Sequence, residues 1–182
     1  MEHSPVLLKE AIDFLNLRGG KVVLDATADG GGHAMEICRR IGEDGLFIGI
    51  DEDSELLKAA ETKLQNADCK SILILGNFRN LDKLLEKINF LDAVFFDLGM
   101  SSLQLHNSGR GFSFKKDEPL VMTFKSLPEA GDLTAAEILN KFPEEEIQRI
   151  LKDYGEERYA WRIAKAIVRE RKYRPFKTTF EL

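Results

Sequence analysis

The 182-residue sequence predicts an α/β fold, a parallel sheet with helices on both faces followed by a helical region. Three observations predict it. Four short apolar runs, each followed by an acid or an amide, have the length and composition of buried parallel strands. Between them lie stretches with apolar residues at i, i+3, i+4 and i+7, the spacing of an amphipathic helix. Helix and strand patterns alternate from residue 5 to residue 97, the order in which a parallel sheet is built.

Ser4-Pro5 reads as the N-cap and first position of a helix with the stripe Leu8, Ala11, Ile12 and Leu15, stopped by Gly19-Gly20. Residues 21–25 form the first strand, and His33 starts a helix with Ala34, Ile37, Cys38 and Ile41 on one face. Residues 46–50 form the second strand. Ser54 is expected to cap a helix reaching about Leu64. Residues 71–75 read as a third buried strand, Leu81, Leu84, Leu85 and Ile88 as a helical stripe, and residues 93–96 as the fourth strand. Connecting these strands in parallel implies the sheet order 3-2-1-4, with the fourth strand as an apolar edge open to self-association.

Residues 100–111 lack a clean period and read as a loop carrying Ser101, Ser102, Gln104, His106 and Arg110. Phe112 and Phe114 follow, placed either to stack nucleobases or to tuck beneath the loop. Thr134 with Glu137 makes a capping box, and Pro143 opens a helix with three acids in its first turn. The last helix is expected over residues 157–172. Its Ala160, Ile163, Ala164 and Ile167 form an apolar stripe, while Arg158, Arg162, Lys165, Arg169 and Lys172 form a basic one that suits phosphates. The same stripe also fits a merely solvated face.

The stretch from Lys21 to Glu52 carries the clearest chemical signal. Gly30-Gly31-Gly32 stands between a strand and a helix, and Asp51 ends the next strand about twenty residues on. That is the layout of a nucleotide-binding βαβ unit, in which the acid accepts from ribose hydroxyls. Asp29 replaces the first glycine of the dinucleotide fingerprint and would repel a pyrophosphate, which argues against NAD. A cofactor without phosphates fits better, and S-adenosylmethionine is one. Ligands of such sheets bind beyond the carboxyl ends of the strands, where Asp51, Asn77, Phe78 and Asp97 also fall. Phe78 suits either the core or the face of an adenine.

Composition is that of a globular protein, 43% hydrophobic and 31% charged, with a net charge of −5. The charge is uneven: residues 151–182 carry +4 and the rest −9. Cys38 and Cys69 stand apart and form no metal or redox motif, and Cys38 reads as core filler. No metal set, leader or membrane-length apolar run appears, so a soluble, cytoplasmic protein with no membrane partner is expected.

Several ordered motifs resemble one family. His3-Ser4-Pro5-Val6-Leu7-Leu8-Lys9-Glu10, Asp25-Ala26-Thr27 with Gly30-Gly31-Gly32-His33, and Gly49-Ile50-Asp51-Glu52-Asp53 are similar to the bacterial small-subunit ribosomal RNA cytosine-N4 methyltransferase H family. So are Asp97-Leu98-Gly99-Met100-Ser101-Ser102-Leu103-Gln104-Leu105, Arg110-Gly111-Phe112-Ser113-Phe114 and Tyr154-Gly155-Glu156-Glu157-Arg158. The resemblance implies a Rossmann-like methyltransferase core over residues 1–106 and a helical substrate region over 107–182. It implies S-adenosylmethionine contacts at Gly31, Gly32, His33, Asp51, Phe78, Asp97 and Gln104. It also implies methylation of the exocyclic amine of a cytidine in small-subunit ribosomal RNA, as free RNA or within the 30S subunit.

Within that reading Asp97 is the one acid placed to accept from the cytosine amine, or else it holds the amino-acid end of the cofactor. The target base would have to be unpaired or flipped. Two departures stand out. Val121 and Thr123 occupy positions where the family carries an acid and a base, and the family continues past Leu182 with strands that complete the sheet. A catalytically inactive fragment, or an RNA- or ribosome-binding module retaining the cofactor fold, is therefore the rival expectation.

Overall fold

The computed structural model describes residues 7–182, so Ser4 and Pro5 lie outside the described residues. The chain divides into two compact units. The first runs through Ser102 and takes in Phe124–Ser126, and the second comprises Leu103–Thr123 and Leu127–Leu182.

The first unit is built in the order α1 (Leu8–Phe14), β1 (Val22–Asp25), α2 (Gly32–Ile41), β2 (Leu46–Asp51), α3 (Ser54–Leu64), β3 (Lys70–Leu75), a 3-10 turn (Phe78–Asn80), α4 (Leu81–Leu84) and β4 (Ala93–Phe95). All pairings are parallel and the sheet order is β3-β2-β1-β4. The register sets Val23 beside Phe47 and Ala93, and Leu24 beside Ile48 and Val94. Alternation of side chains then sends Val23 and Phe47 to one face, where they pack with Ile12, Ala34, Ile37, Ile41 and Leu64. Leu24, Ile48 and Ile50 go to the other, beneath Leu81, Leu84, Leu85 and Ile88.

The elements differ from expectation where local pattern and neighbours disagree. Asp53, not Ser54, caps α3, its side chain accepting from the Glu55 N–H at 3.0 Å. Ser54 instead pairs its hydroxyl with that of Ser126 at 2.8 Å. The third strand is not buried: Ile72 and Leu75 are exposed, because β3 ends the sheet and its apolar composition alone does not supply a covering layer. The helix after it is a single turn. Cys38 and Cys69 are not unrelated, since α2 and the lead-in to β3 bring their Cα atoms to 5.0 Å and a disulfide joins them. Gly31 takes φ 77°, and a Cβ there would stand 3.0 Å from Ala60 Cα, so this glycine lets α2 approach α3.

The second unit contains most of α5 (Ser102–Asn107), then α6 (Ala135–Lys141), α7 (Glu144–Asp153) and α8 (Ala160–Glu170). The segment read as a loop thus holds a six-residue helix. Its core gathers Leu120, Leu139, Ile147, Ala164, Ile167 and Phe176. Half of the capping box forms: Thr134 accepts from Glu137 N–H, while the Glu137 carboxylate turns to Lys141 at 2.6 Å. Residues 118–120 pair antiparallel with 177–179, Leu120 N–H donating to Lys177 O and Thr179 N–H to Glu118 O. Asn140 ties the same tail down, its amide donating to Phe176 O at 2.7 Å and accepting from Phe176 N–H at 2.9 Å. Arg171 closes α6 by donating to Leu139 O and Phe142 O. The departures at Val121 and Thr123 fall in this scaffold, where Val121 O accepts from Ala135 N–H and Thr123 O from Arg110.

Candidate functional site

The parallel sheet brings four aspartates to its carboxyl edge. Asp25 ends β1 and Asp51 ends β2; Asp29 lies on the glycine turn and Asp97 follows β4. Each takes part in a hydrogen bond at this edge. Asp25 accepts from the Thr27 N–H at 3.0 Å and hydroxyl at 3.2 Å, and that hydroxyl accepts from Asp97 N–H at 2.8 Å. Thr27 thereby ties the end of β1 to the end of β4, a role its lack of charge concealed in the sequence. Asp51 accepts from Asp29 N–H and Asp53 N–H, one on each oxygen and both at 2.9 Å, which leaves each oxygen further lone-pair capacity. Asp29 sits in the left-handed region at φ 47°, a conformation aspartate tolerates better than most residues.

His33, the second residue of α2, is buried, with its ring 4.7 Å from that of Phe95 and its Nδ1 3.8 Å from Asp97 Oδ2. His33 Nε2 and Asp29 Oδ1 are buried without a hydrogen-bond partner, an arrangement that costs free energy unless a ligand completes it. Phe78 is half-exposed and meets Phe96 edge-on at 5.6 Å between centroids. Asn77 donates to Glu52 beside it and accepts from Arg79 N–H.

The electrostatics are one-sided. Burial raises the Asp25 carboxyl to about 7 against the two Thr27 hydrogen bonds, and Asp51 and Asp97 add like-charge repulsion. Asp51 is raised as well, by burial first, with its two backbone N–H donors opposing. Among the described residues no lysine or arginine pairs with any of the four aspartates. Such a cluster repels phosphates and favours a ligand carrying positive charge.

Of the other expected site residues, Gly31 and Gly32 form the N-cap and first residue of α2 at this edge. Gln104 is buried on α5 in the second unit. The expected basic stripe straddles α8, with Arg162, Lys165 and Arg169 inside it, Arg158 before and Lys172 after, all exposed. Its apolar side is narrower than expected, since Ile163 is 37% exposed while Ala160, Ala164 and Ile167 are buried. Phe112 is half-buried near the Arg110 guanidinium, whereas Phe114 is exposed. A cavity at the amino ends of the strands, beside Asn16, Arg18 and Ala93, holds the closed Lys21–Asp92 pair at 2.7 Å and stands apart from the aspartates.

The MraW methylase family matches residues 1–182, the whole chain. The chain belongs to that family. It is 45% identical to ribosomal RNA small subunit methyltransferase H of Dictyoglomus thermophilum over 96% of this chain and 59% of the relative. The corresponding protein of Carboxydothermus hydrogenoformans is 44% identical over 99% of this chain and 57% of its own. The chain thus spans about three fifths of the length of the curated relatives it matches. A solved rRNA methylase of Streptococcus thermophilus superimposes with TM-score 0.41 and 22% identity, covering 58% of this chain and 61% of that one. That likeness is too distant to bear on activity.

Proposed function

We propose that this methylase-family chain binds S-adenosylmethionine at the carboxyl edge of its sheet and serves methylation of the N4 amine of a cytidine in small-subunit ribosomal RNA. The observation that carries the reading is the unneutralised aspartate cluster with two unpaired buried polar atoms, Asp29 Oδ1 and His33 Nε2. A sulfonium nucleoside bearing an ammonium group suits that field, and a pyrophosphate does not. The names of the relatives support ribosomal RNA as the substrate, which is met in the cytoplasm.

The cofactor, when bound, supplies an electrophilic methyl group. Asp51 has lone pairs to accept from ribose hydroxyls, and Phe78 offers a half-exposed ring to the base. Gly31, Gly32 and His33 line the turn. Asp97 keeps a half-exposed carboxylate whose backbone is held by Thr27, so it can accept from the cytosine amine and later take its proton. Most of the rate enhancement asked of these residues is alignment of the amine, which positioning alone can supply. The basic stripe Arg158, Arg162, Lys165, Arg169 and Lys172 holds the RNA backbone.

Calorimetry with S-adenosylmethionine, S-adenosylhomocysteine and NAD tests the cofactor. Tighter binding of NAD than of either sulfur nucleoside overturns the reading. Mass mapping of small-subunit RNA treated with the enzyme tests the methylated atom, and a methyl group on carbon or ribose rejects the N4 assignment.

A further inference from the structure

The approach to α8 carries an aromatic centre to which the reading above assigns no role. Tyr159 is the N-cap residue of α8 and 45% exposed. The guanidinium of Arg158 lies 4.6 Å from its ring centroid and that of Arg162 lies 5.8 Å away. Neither arginine has a carboxylate partner among the described residues, unlike Arg149 with Glu146 or Arg169 with Glu170. The nearby acid is occupied elsewhere: Glu157 accepts from the Tyr159 N–H at 2.7 Å, fixing the tyrosine backbone.

On a solvated helix face an acid three or four residues away can pair with such a cation, as Glu146 does with Arg149. Here two cations are held against an exposed ring and left unneutralised. Arginine over an aromatic face gains cation–π energy, and both groups have flat surfaces of the size of a nucleobase. Proteins that bind single strands combine such rings with cations, the bases stacking while the cations meet the backbone. Paired bases present no free face, so a duplex would meet the cations alone.

We propose that Tyr159, flanked by Arg158 and Arg162, is a stacking site for one unpaired nucleobase of a single-stranded RNA segment. The inference rests on the RNA-substrate reading above but concerns binding, not chemistry. It makes the second unit a reader of unpaired RNA, with the ring supplying contact area and the arginines supplying phosphate contacts.

The test uses the 182-residue chain, an unstructured 12-nucleotide RNA and a fully paired RNA hairpin, with anisotropy measured across a salt series. Tyr159→Ala is expected to weaken the single strand by roughly 5- to 100-fold, the size of one lost base stack. The salt slope and the hairpin affinity stay unchanged, because no phosphate contact is lost. Tyr159→Phe keeps wild-type affinity and guards against a folding defect, while Tyr159→Leu, which keeps bulk without the π face, behaves like the alanine variant. Equal single-strand binding by wild type and Tyr159→Ala overturns the proposal, as does an equal loss on the hairpin or no RNA binding at all. Stacking that persists in a chain binding no sulfur nucleoside rejects the methyl-transfer reading and leaves this site standing.

Discussion

At the carboxyl edge of the sheet, aspartates are held by backbone N–H groups and, at Asp25 and Asp51, pushed toward their neutral forms by burial. Along α8, cations stand in solvent, and Arg158, Arg162, Lys165 and Lys172 have no acidic partner among the described residues. The first region is preorganised and costly to leave empty; the second is adaptable and screened by salt. The contrast teaches that charge sign and burial together select the ligand. A small cationic molecule repays buried acids, and a long anionic polymer repays exposed bases.

The sharpest break in that comparison is titration of Asp25. The folded chain keeps its proton to about pH 7, whereas an unfolded aspartate releases it near 3.8. The folded state therefore binds more protons between those values, and stability falls as pH rises through that window, by about 4 kcal/mol. Asp51 adds the same sign. Asp25→Asn cannot ionise yet still accepts from Thr27, so it should match wild type near pH 4 and exceed it at pH 8. Denaturant titrations at pH 4, 6 and 8 measure this, and a wild-type stability that climbs across the window refutes it.

Next in size is the Cys38–Cys69 bond, which joins residues 31 positions apart. Loop-closure entropy gives about 3–4 kcal/mol, so reduction should lower the melting temperature of wild type and leave a double serine variant insensitive to reductant. Asp51→Ala should then weaken S-adenosylmethionine by about 1.5–3 kcal/mol, the usual size for hydrogen bonds to a charged group. Calorimetry at constant ionic strength reads it, and an unchanged affinity removes Asp51 from the site.

Reversing Arg162 and Lys165 to glutamate should act on the other region. RNA affinity should fall and its salt dependence flatten by about 0.7 of a log unit per lost contact on a single strand. An unchanged slope returns the stripe to a solvated face. The smallest effect concerns the outer edge of β4, where Val94 and the following Phe96 are 44% and 43% exposed. Val94→Lys should lower the apparent mass of the chain in light scattering at high concentration, since a charge on an edge strand blocks pairing with another copy.

The sequence by itself determined the kinds and order of the strands and helices of the sheet, because a 2.0- or 3.6-residue period is a local property, whereas α5, with no clean period, was not legible. It also determined that acids close the strands, since β1 and β2 each end in an aspartate and β4 reaches one two residues on. Only the tertiary structure decided what those residues meet. Thr27 reaching Asp97, Gly31 yielding to Ala60, Cys38 bonding Cys69 and Asn140 holding Phe176 all join residues 29 or more positions apart. Asp53 displaced Ser54 as a cap because its side chain is the one that reaches the Glu55 N–H. The raised carboxyl of Asp25 has the same origin. Its neighbours Asp51 and Asp97 come from the ends of two other strands, and burial, the largest cause, exists only once the layers of the sheet have closed around it.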